Sequence, residues 1–230
     1  MSLLFPERRL IGLAPAEVTL DAKSLACDPA SGAESWQGAV ATLRALPIPG
    51  RCSVTVVLSN HFVRYALVPW SGALSSPEEE DAYVRHHFAR IHGERAKSWA
   101  LRWTQSARGA PRLASAIDAS LIEALRKIFP AGGKARLASV KPNLVAAYER
   151  CRGAIPASGA WLAVTEQHRA CVALHGQGRF LAVENARSDW SDLLGRMRHR
   201  TEGSTPTLVL VTGPRLVDNA APAKLVLEAA

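Results

Sequence analysis

A mixed α/β fold in two similar halves is what this sequence predicts, on three observations. Short apolar runs of strand length, such as Val54–Leu58 and Leu208–Val211, alternate with stretches whose apolar residues recur every three or four positions. Turns bearing glycine, proline or asparagine separate them. The order strand, strand, strand, helix, strand can be followed twice, from Arg8 with a weakly marked third strand and again, more cleanly, from Trp161.

The composition sets the frame. With 230 residues, 48% hydrophobic and 21% charged, the chain is long enough to bury a substantial core and is not of the disordered type. No apolar run approaches the roughly 18 residues that cross a bilayer. The stretch Met1–Glu7 lacks the basic flank and apolar core of a secretory leader, so a cytosolic location is expected, with any membrane contact made through a partner. Cys27, Cys52, Cys151 and Cys171 are scattered without a C-x-x-C pair, which predicts buried reduced thiols and no zinc cage. The net charge of +8 is concentrated in residues 76–156, which hold 14 basic and 8 acidic side chains. Two readings of that segment stand: an arginine-rich solvated surface, or a face for nucleic acid, acidic lipid or an acidic partner.

The elements follow in order. Arg8–Leu13 and Glu17–Ala22, broken by Ala14-Pro15-Ala16, predict a hairpin, with a third strand at Ser24–Cys27. Glu34–Leu46 places Trp36, Ala39, Val40 and Leu43 on one helical stripe. Ser53–Ser59 and Phe62–Pro69 read as strands joined through Ser59-Asn60-His61. Ser76, Pro77 and Glu79 form a helix start with a capping box, and the acids Glu78–Asp81 sit where the helix dipole favours them. Val84, Phe88 and Ile91 are its expected buried stripe and Gly93 its end. Trp99–Gln105 and Arg112–Ile117 are strands, Asp118 caps a helix to Phe129, a strand lies near Arg136–Val140, and a helix covers Pro142 to Arg152. Gly153–Gly159 is the linker candidate. Beyond it, Trp161–Glu166, Ala170–His175 and Arg179–Glu184 are strands, Asp189–Arg200 a helix, and Thr207–Val211 a buried strand.

A three-stranded meander, a helix and a buried strand is the order of a ribonuclease H-like core, and two such units joined by a helix suggest the duplicated actin-like architecture. The expected division is a first lobe at 1–152, with an inserted subdomain at about 51–117, and a smaller second lobe at 153–230, a degenerate and reduced form of the fold. The stretch Val57-Leu58-Ser59-Asn60-His61-Phe62-Val63-Arg64-Tyr65-Ala66-Leu67-Val68-Pro69-Trp70, followed by the acidic helix and Trp99, resembles the PilM-like and GspL-like proteins of type IV pilus and type II secretion assembly. Close residue matches are confined to about 54–103, while the order of elements extends over most of the chain. The resemblance implies an actin-like fold and a scaffolding role, gripping the cytosolic tail of an inner-membrane assembly protein. The chain departs from full-length relatives after residue 185, where the subdomain that closes their nucleotide cleft has no counterpart, and it carries none of the membrane span of complete GspL-type proteins.

Actin-like ATPases hold phosphate in two strand turns, each with Asp-x-Gly, whose N–H groups cradle oxygen and whose glycine permits close approach. The first turn here is Ile11-Gly12-Leu13-Ala14-Pro15-Ala16, with alanine in place of aspartate and a proline that has no N–H. The second is Val164-Thr165-Glu166-Gln167-His168, without glycine and with a carboxylate. The adenosine-facing Gly-Gly is reduced to Gly213-Pro214. ATP hydrolysis is therefore not expected, nor any catalytic residue, cofactor or metal.

His86, His87 and His92 share a helix without the spacing of four that would bring two onto a metal, and no dinucleotide-binding, P-loop or hydrolase motif is present. The candidate partner-binding set is Asn60, Arg64, Trp70, Trp99, Arg102 and Trp103, since Trp and Arg are common anchors. Core packing of the tryptophans is the competing reading, and for Arg64 an ion pair with the neighbouring helix. The leading expectation is a non-catalytic scaffold that binds a peptide tail. A nucleic-acid module using residues 85–152 and a degenerate nucleotide-binding enzyme are the alternatives, and no specific nucleic-acid partner is expected.

Overall fold

The computed structural model describes residues 7–21, 23–27, 36–48, 50–105, 107–201, 206–213, 215–217 and 222–226. The chain divides into two compact units, one of Met1–Val63, Asp118–Ala146 and Arg215–Ala220, the other of Arg64–Ile117, Ala147–Pro214 and Ala221–Ala230. The chain passes between the units several times. Glu34, Ala22 and Pro214, which enter the expectations above, lie outside the described residues.

The first unit holds a sheet in the order β3-β2-β1-β4-β8, made by β1 (Glu7–Leu13), β2 (Glu17–Leu20), β3 (Lys23–Ala26), β4 (Cys52–Leu58) and β8 (Ala135–Pro142). The first three form an antiparallel meander, while β1, β4 and β8 run parallel, with Leu13 beside Leu58 and Leu58 beside Pro142. Asp21 makes the second meander turn at φ 52. Its carboxylate holds that conformation by accepting from the Leu10 N–H and, at 2.7 Å, from Arg9 Nη1. Helix α1 (Gln37–Ala45) buries Ala39, Val40 and Leu43, and α3 (Ala119–Ile128) buries Leu121 and Leu125. Asp118 caps α3 by accepting from the Ser120 N–H at 2.9 Å. Trp36 departs from its expected place on the α1 stripe. It stands at the N-cap position, half-buried, with its indole N–H directed at Asp118 Oδ2 at 3.4 Å.

After β4 the chain leaves this sheet through Ser59–His61. The turn is closed by Ser59 N–H to Leu13 O at 2.9 Å and Phe62 N–H to Ser59 O at 3.0 Å. It enters a separate three-stranded sheet, β5-β7-β6, formed by β5 (Val63–Val68), β6 (Trp99–Trp103) and β7 (Arg112–Asp118). Cys52–Leu58 is an interior strand of the first sheet, and the separate sheet begins at β5. Helix α2 (Pro77–His92) covers one face of the small sheet. Its Val84 and Phe88 pack on Ala66, Val68, Leu101, Ala114 and Ala116. Ser76 Oγ accepts from the Glu79 N–H at 3.2 Å, and Glu79 returns the bond to the Ser75 N–H rather than to the cap itself. Ile91, expected to be inward, is 56% exposed.

The second five-stranded sheet has the order β11-β10-β9-β12-β13, from β9 (Ala160–Glu166), β10 (Arg169–Gly176), β11 (Arg179–Ala186), β12 (Leu208–Thr212) and β13 (Ala223–Val226). It repeats the first sheet's plan: an antiparallel meander β9-β10-β11, then a parallel strand β12 beside β9. The repeat breaks at the fifth strand. β8 is parallel to its neighbour, whereas β13, which the sequence analysis did not anticipate, is antiparallel and exposed. β10 is buried along its whole length. Helix α5 (Trp190–Arg200), capped by Asp189, drives Leu193, Leu194 and Met197 onto Trp161, Val172 and Leu174. Helix α4 (Asn143–Cys151) and a 3₁₀ turn at Arg152–Ala154 lead into β9.

Gly159 enters β9 at φ +92, and a Cβ there would lie 2.5 Å from His175 O. Gly153, in the same linker, meets nothing within 4 Å. Chemical denaturation is expected to show Gly159→Ala destabilised by about 1–3 kcal/mol, with Gly153→Ala within about 0.5 kcal/mol of the parent.

Candidate functional site

In sheets of this kind, ligands collect at the carboxyl ends of the parallel strands. In the first unit those ends are Leu13 and Leu58, continued by Ala14–Ala16 and Ser59–His61. In the turn after β1, Ala14 N–H bonds Glu17 O at 2.9 Å, Glu17 N–H bonds Ala14 O, and Pro15 has no N–H. The neighbouring surface is apolar. Leu216 and Val217 join Val57, Ala146, Leu10 and Ala14 in one cluster. They approach so closely that a Cβ on Gly12 would stand 2.8 Å from Leu216 Cβ. Gly12 is thus used for close packing of a hydrophobic plug, where a phosphate-binding glycine would face an anion.

The corresponding end of the second sheet is open. A cavity of about 700 Å³ is lined by Thr165, Glu166, His168, Arg169, Ala170, Arg187, Ser188, Asp189 and Trp190. Three places in the chain build it: the β9–β10 turn, where His168 takes φ 56, the exit of β11, and the start of α5. Arg169 is buried and donates from Nη1 to Asn185 Oδ1 at 3.1 Å. The Asp189 carboxylate accepts from the Ser191 N–H and hydroxyl, which hold its pKa below the usual carboxylate range, so its charge serves the helix start. Thr165 donates its hydroxyl to Thr212 O at 2.7 Å. Beneath, burial pushes the Cys171 thiol well up, and the thiol is neutral. The cavity offers mixed charge and an indole wall. Among the described residues lining it, no nucleophile stands activated by a neighbouring base.

The six expected partner-binding residues do not converge. Asn60 is fully buried and presents no surface to a partner. Trp99, Leu101 and Trp103 share one face of β6 and pack toward α2, with Trp99 edge-on to His92 at 5.0 Å. Arg102 projects from the opposite face and is exposed. Arg64 has the strand parity of Ala66 and Val68, the face that α2 covers, so it does not stand on the outward face; its charge helps lower the His92 pKa, after burial. Trp70 stands well away from it, since Val68 alone lies about 13 Å along the strand from Arg64. Trp70, 38% exposed, folds over Gly72 beside Leu74, Tyr83 and the Arg112–Glu80 ion pair. Parity along β5 and β6 was readable in the sequence, but which face α2 would cover was not.

His86, His87 and His92 point apart. Burial, then Arg90 and His86, lower the His87 pKa, and His92 is held between Phe88 and Trp99. The four cysteines are free and buried. Sequence reasoning missed the aromatic cluster of Tyr148, His175 and Phe180, whose ring centroids lie 4.8–5.3 Å apart. It also missed the Leu216–Val217 plug, which carries no motif.

No protein-family model and no curated relative matches the chain. Solved structures share its fold. A Bacteroides thetaiotaomicron protein with an actin-like ATPase fold and unknown function aligns over 90% of this chain and 82% of its own, with TM-score 0.55 and 11% identity. The cytoplasmic domain of EpsL, an inner membrane component of the type II secretion system of Vibrio cholerae, aligns over 90% and 83%, with TM-score 0.56 and 12% identity. A chain of the PilM–PilN type IV pilus biogenesis complex aligns over 86% of this chain and 66% of its own, with TM-score 0.56 and 16% identity. The chain has the actin-like fold. Among the described residues no helix is long and apolar enough to cross a membrane.

Two outcomes follow from the packing. Gly12→Ala is expected to cost about 1–3 kcal/mol by overpacking, and combining it with Leu216→Gly should cost less than the sum of the two single changes, measured by urea denaturation. His175 is buried, its Nδ1 lacks a hydrogen-bond partner, and burial holds its pKa below the usual value. The unfolded chain therefore takes up the proton first as pH falls through about 6.5. The stability contributed by neutral His175 is present above that pH and lost below it. The melting temperature should fall from pH 7 to pH 5, less steeply in His175→Phe, with His87 and His92 supplying a remaining slope of the same sign.

Proposed function

We propose that this chain is a non-catalytic scaffold of a pilus or secretion assembly platform, holding a peptide tail of a membrane component at the cytosolic face. The observation that carries the reading is the hydrophobic plug on Gly12. Where an actin-like ATPase needs free amides and room for phosphate, this chain has Pro15 and a close Leu216 contact. Glu166 at the second turn adds a carboxylate where an anion would have to enter. The actin-like fold shared with EpsL and with a chain of the PilM–PilN complex supports a role in holding partners rather than in turnover. The location follows from that role: a cytoplasmic protein, peripheral to the membrane through its partner.

The test is thermal. Any ligand that binds only the folded state raises stability by mass action, about 2.7 kcal/mol at a hundredfold excess over Kd. Millimolar ATP with magnesium should leave the melting temperature unchanged and release no phosphate. Synthetic cytosolic tails of the inner-membrane components encoded beside this chain should raise it by several degrees. A shift with ATP and none with any tail would reverse the reading in favour of a nucleotide-dependent enzyme.

A further inference from the structure

Strand β6 ends the three-stranded sheet: β7 pairs with one side of it, and no strand among the described residues pairs with the other. Two hydrogen bonds fix which groups face outward. Thr104 donates its N–H to Leu113 O at 2.9 Å, and Arg102 O accepts from Ser115 Oγ, so the even-numbered positions direct their backbone toward β7. In an antiparallel pair the N–H and C=O of one residue point the same way and alternate along the strand. Leu101 and Trp103 therefore turn their backbone groups to the unpaired side of β6, where Leu101 is covered, at 2% exposure, and Trp103 is half-buried. The Leu101 carbonyl is covered by its own neighbour, for Arg102 Nη1 bends back to it at 2.9 Å. An exposed edge strand is a template for another strand, and a charged side chain over it is a common guard.

Basic side chains outnumber acidic ones six to one in residues 90–112, which contain β6. Arg90 and Arg95 on the segments leading into β6, Arg102 on it and Arg108 in the turn after it are exposed, with no ion pair to an acid among the described residues. Of the acids on α2 and the turn after it, Glu80 pairs with Arg112, Asp81 with Arg85 and Glu94 with Lys97, and Glu79 serves the α2 cap, while Glu78 stays exposed in the first turn. The side chains of Trp99, Leu101 and Trp103 face α2, so the edge offers main chain and arginine rather than an apolar groove.

We infer that β6 is a strand-addition site for an extended acidic peptide, which pairs with the backbone of Leu101 and Trp103 while Arg102 moves from the Leu101 carbonyl to a peptide carboxylate. The inference rests on the reading that the chain holds a peptide tail, and it replaces a side-chain groove by main-chain pairing.

Amide hydrogen exchange tests it directly, with the blocked eight-residue peptide of alternating Glu and Val as probe and the Lys–Val counterpart as control. At millimolar Glu–Val peptide the Leu101 and Trp103 amides should slow at least tenfold, with Arg102 and Thr104, already turned toward β7, unchanged. Arg102→Glu should weaken the Glu–Val peptide at least tenfold and admit the Lys–Val peptide instead. Slowing confined to other parts of the protein would overturn the edge site while leaving a peptide-holding role in place. Failure of both peptides and of every membrane-component tail to bind would remove that role as well. A DNA duplex that binds more tightly than the peptide, slows the same amides and shows a steep inverse salt dependence would put nucleic acid in its place.

Discussion

The parallel pairs β1–β4 and β9–β12 are the constraint on which the rest depends. Two parallel strands cannot be joined by a tight turn, so each pair requires a crossover long enough to carry a helix. That helix must then cover a sheet face, which is why α1, α3 and α5 are amphipathic and why the strands beneath them are apolar on both sides. β10 shows the limit of this effect, with all eight residues buried. The same pairing brings strand carboxyl ends together, so polar backbone from several turns gathers at one edge of each sheet.

What the protein does with those edges differs between its halves. At the first, the Ala14 and Glu17 amides bond within the turn, Pro15 has none, and Leu216 and Val217 fill the adjoining space. An anion there would lose its hydration without gaining hydrogen bonds, a cost of several kcal/mol for a charge. At the second, an open polar cavity remains, with Arg169 held by Asn185 and the α5 start already served by Asp189. The duplicated plan thus recurs in both sheets, while the surroundings of the strand ends differ between them.

The small β5-β7-β6 sheet is the other departure from a plain duplication. A three-stranded sheet with one helix is close to the smallest assembly that is stable at all. Here it is reinforced by a capped α2, the Arg112–Glu80 ion pair across helix and strand, and the Phe88–His92–Trp99 ring contacts. Trp99 and Trp103 pack against that core, where large side chains bury much area on a small sheet, while Trp70 stays 38% exposed.

Local chemistry was legible in the sequence wherever one residue decides the outcome. Ser76 and Asp118 cap the helices expected of them, Gly93 ends α2, and the first meander turns near Pro15. The two-fold order of strands and helices, and the interior place of Leu208–Val211, were legible too, because periodicity and apolar run length follow directly from burial. The tertiary structure alone decided the contacts between residues far apart in the chain. That Leu216 closes on Gly12, that Arg64 shares the covered face of β5, that Asn60 is buried, and that β13 returns antiparallel are results of packing between distant segments. Strand parity states which side chains share a face but not which face is covered. Coverage is set by where the crossover lands, and no residue within the strand encodes it.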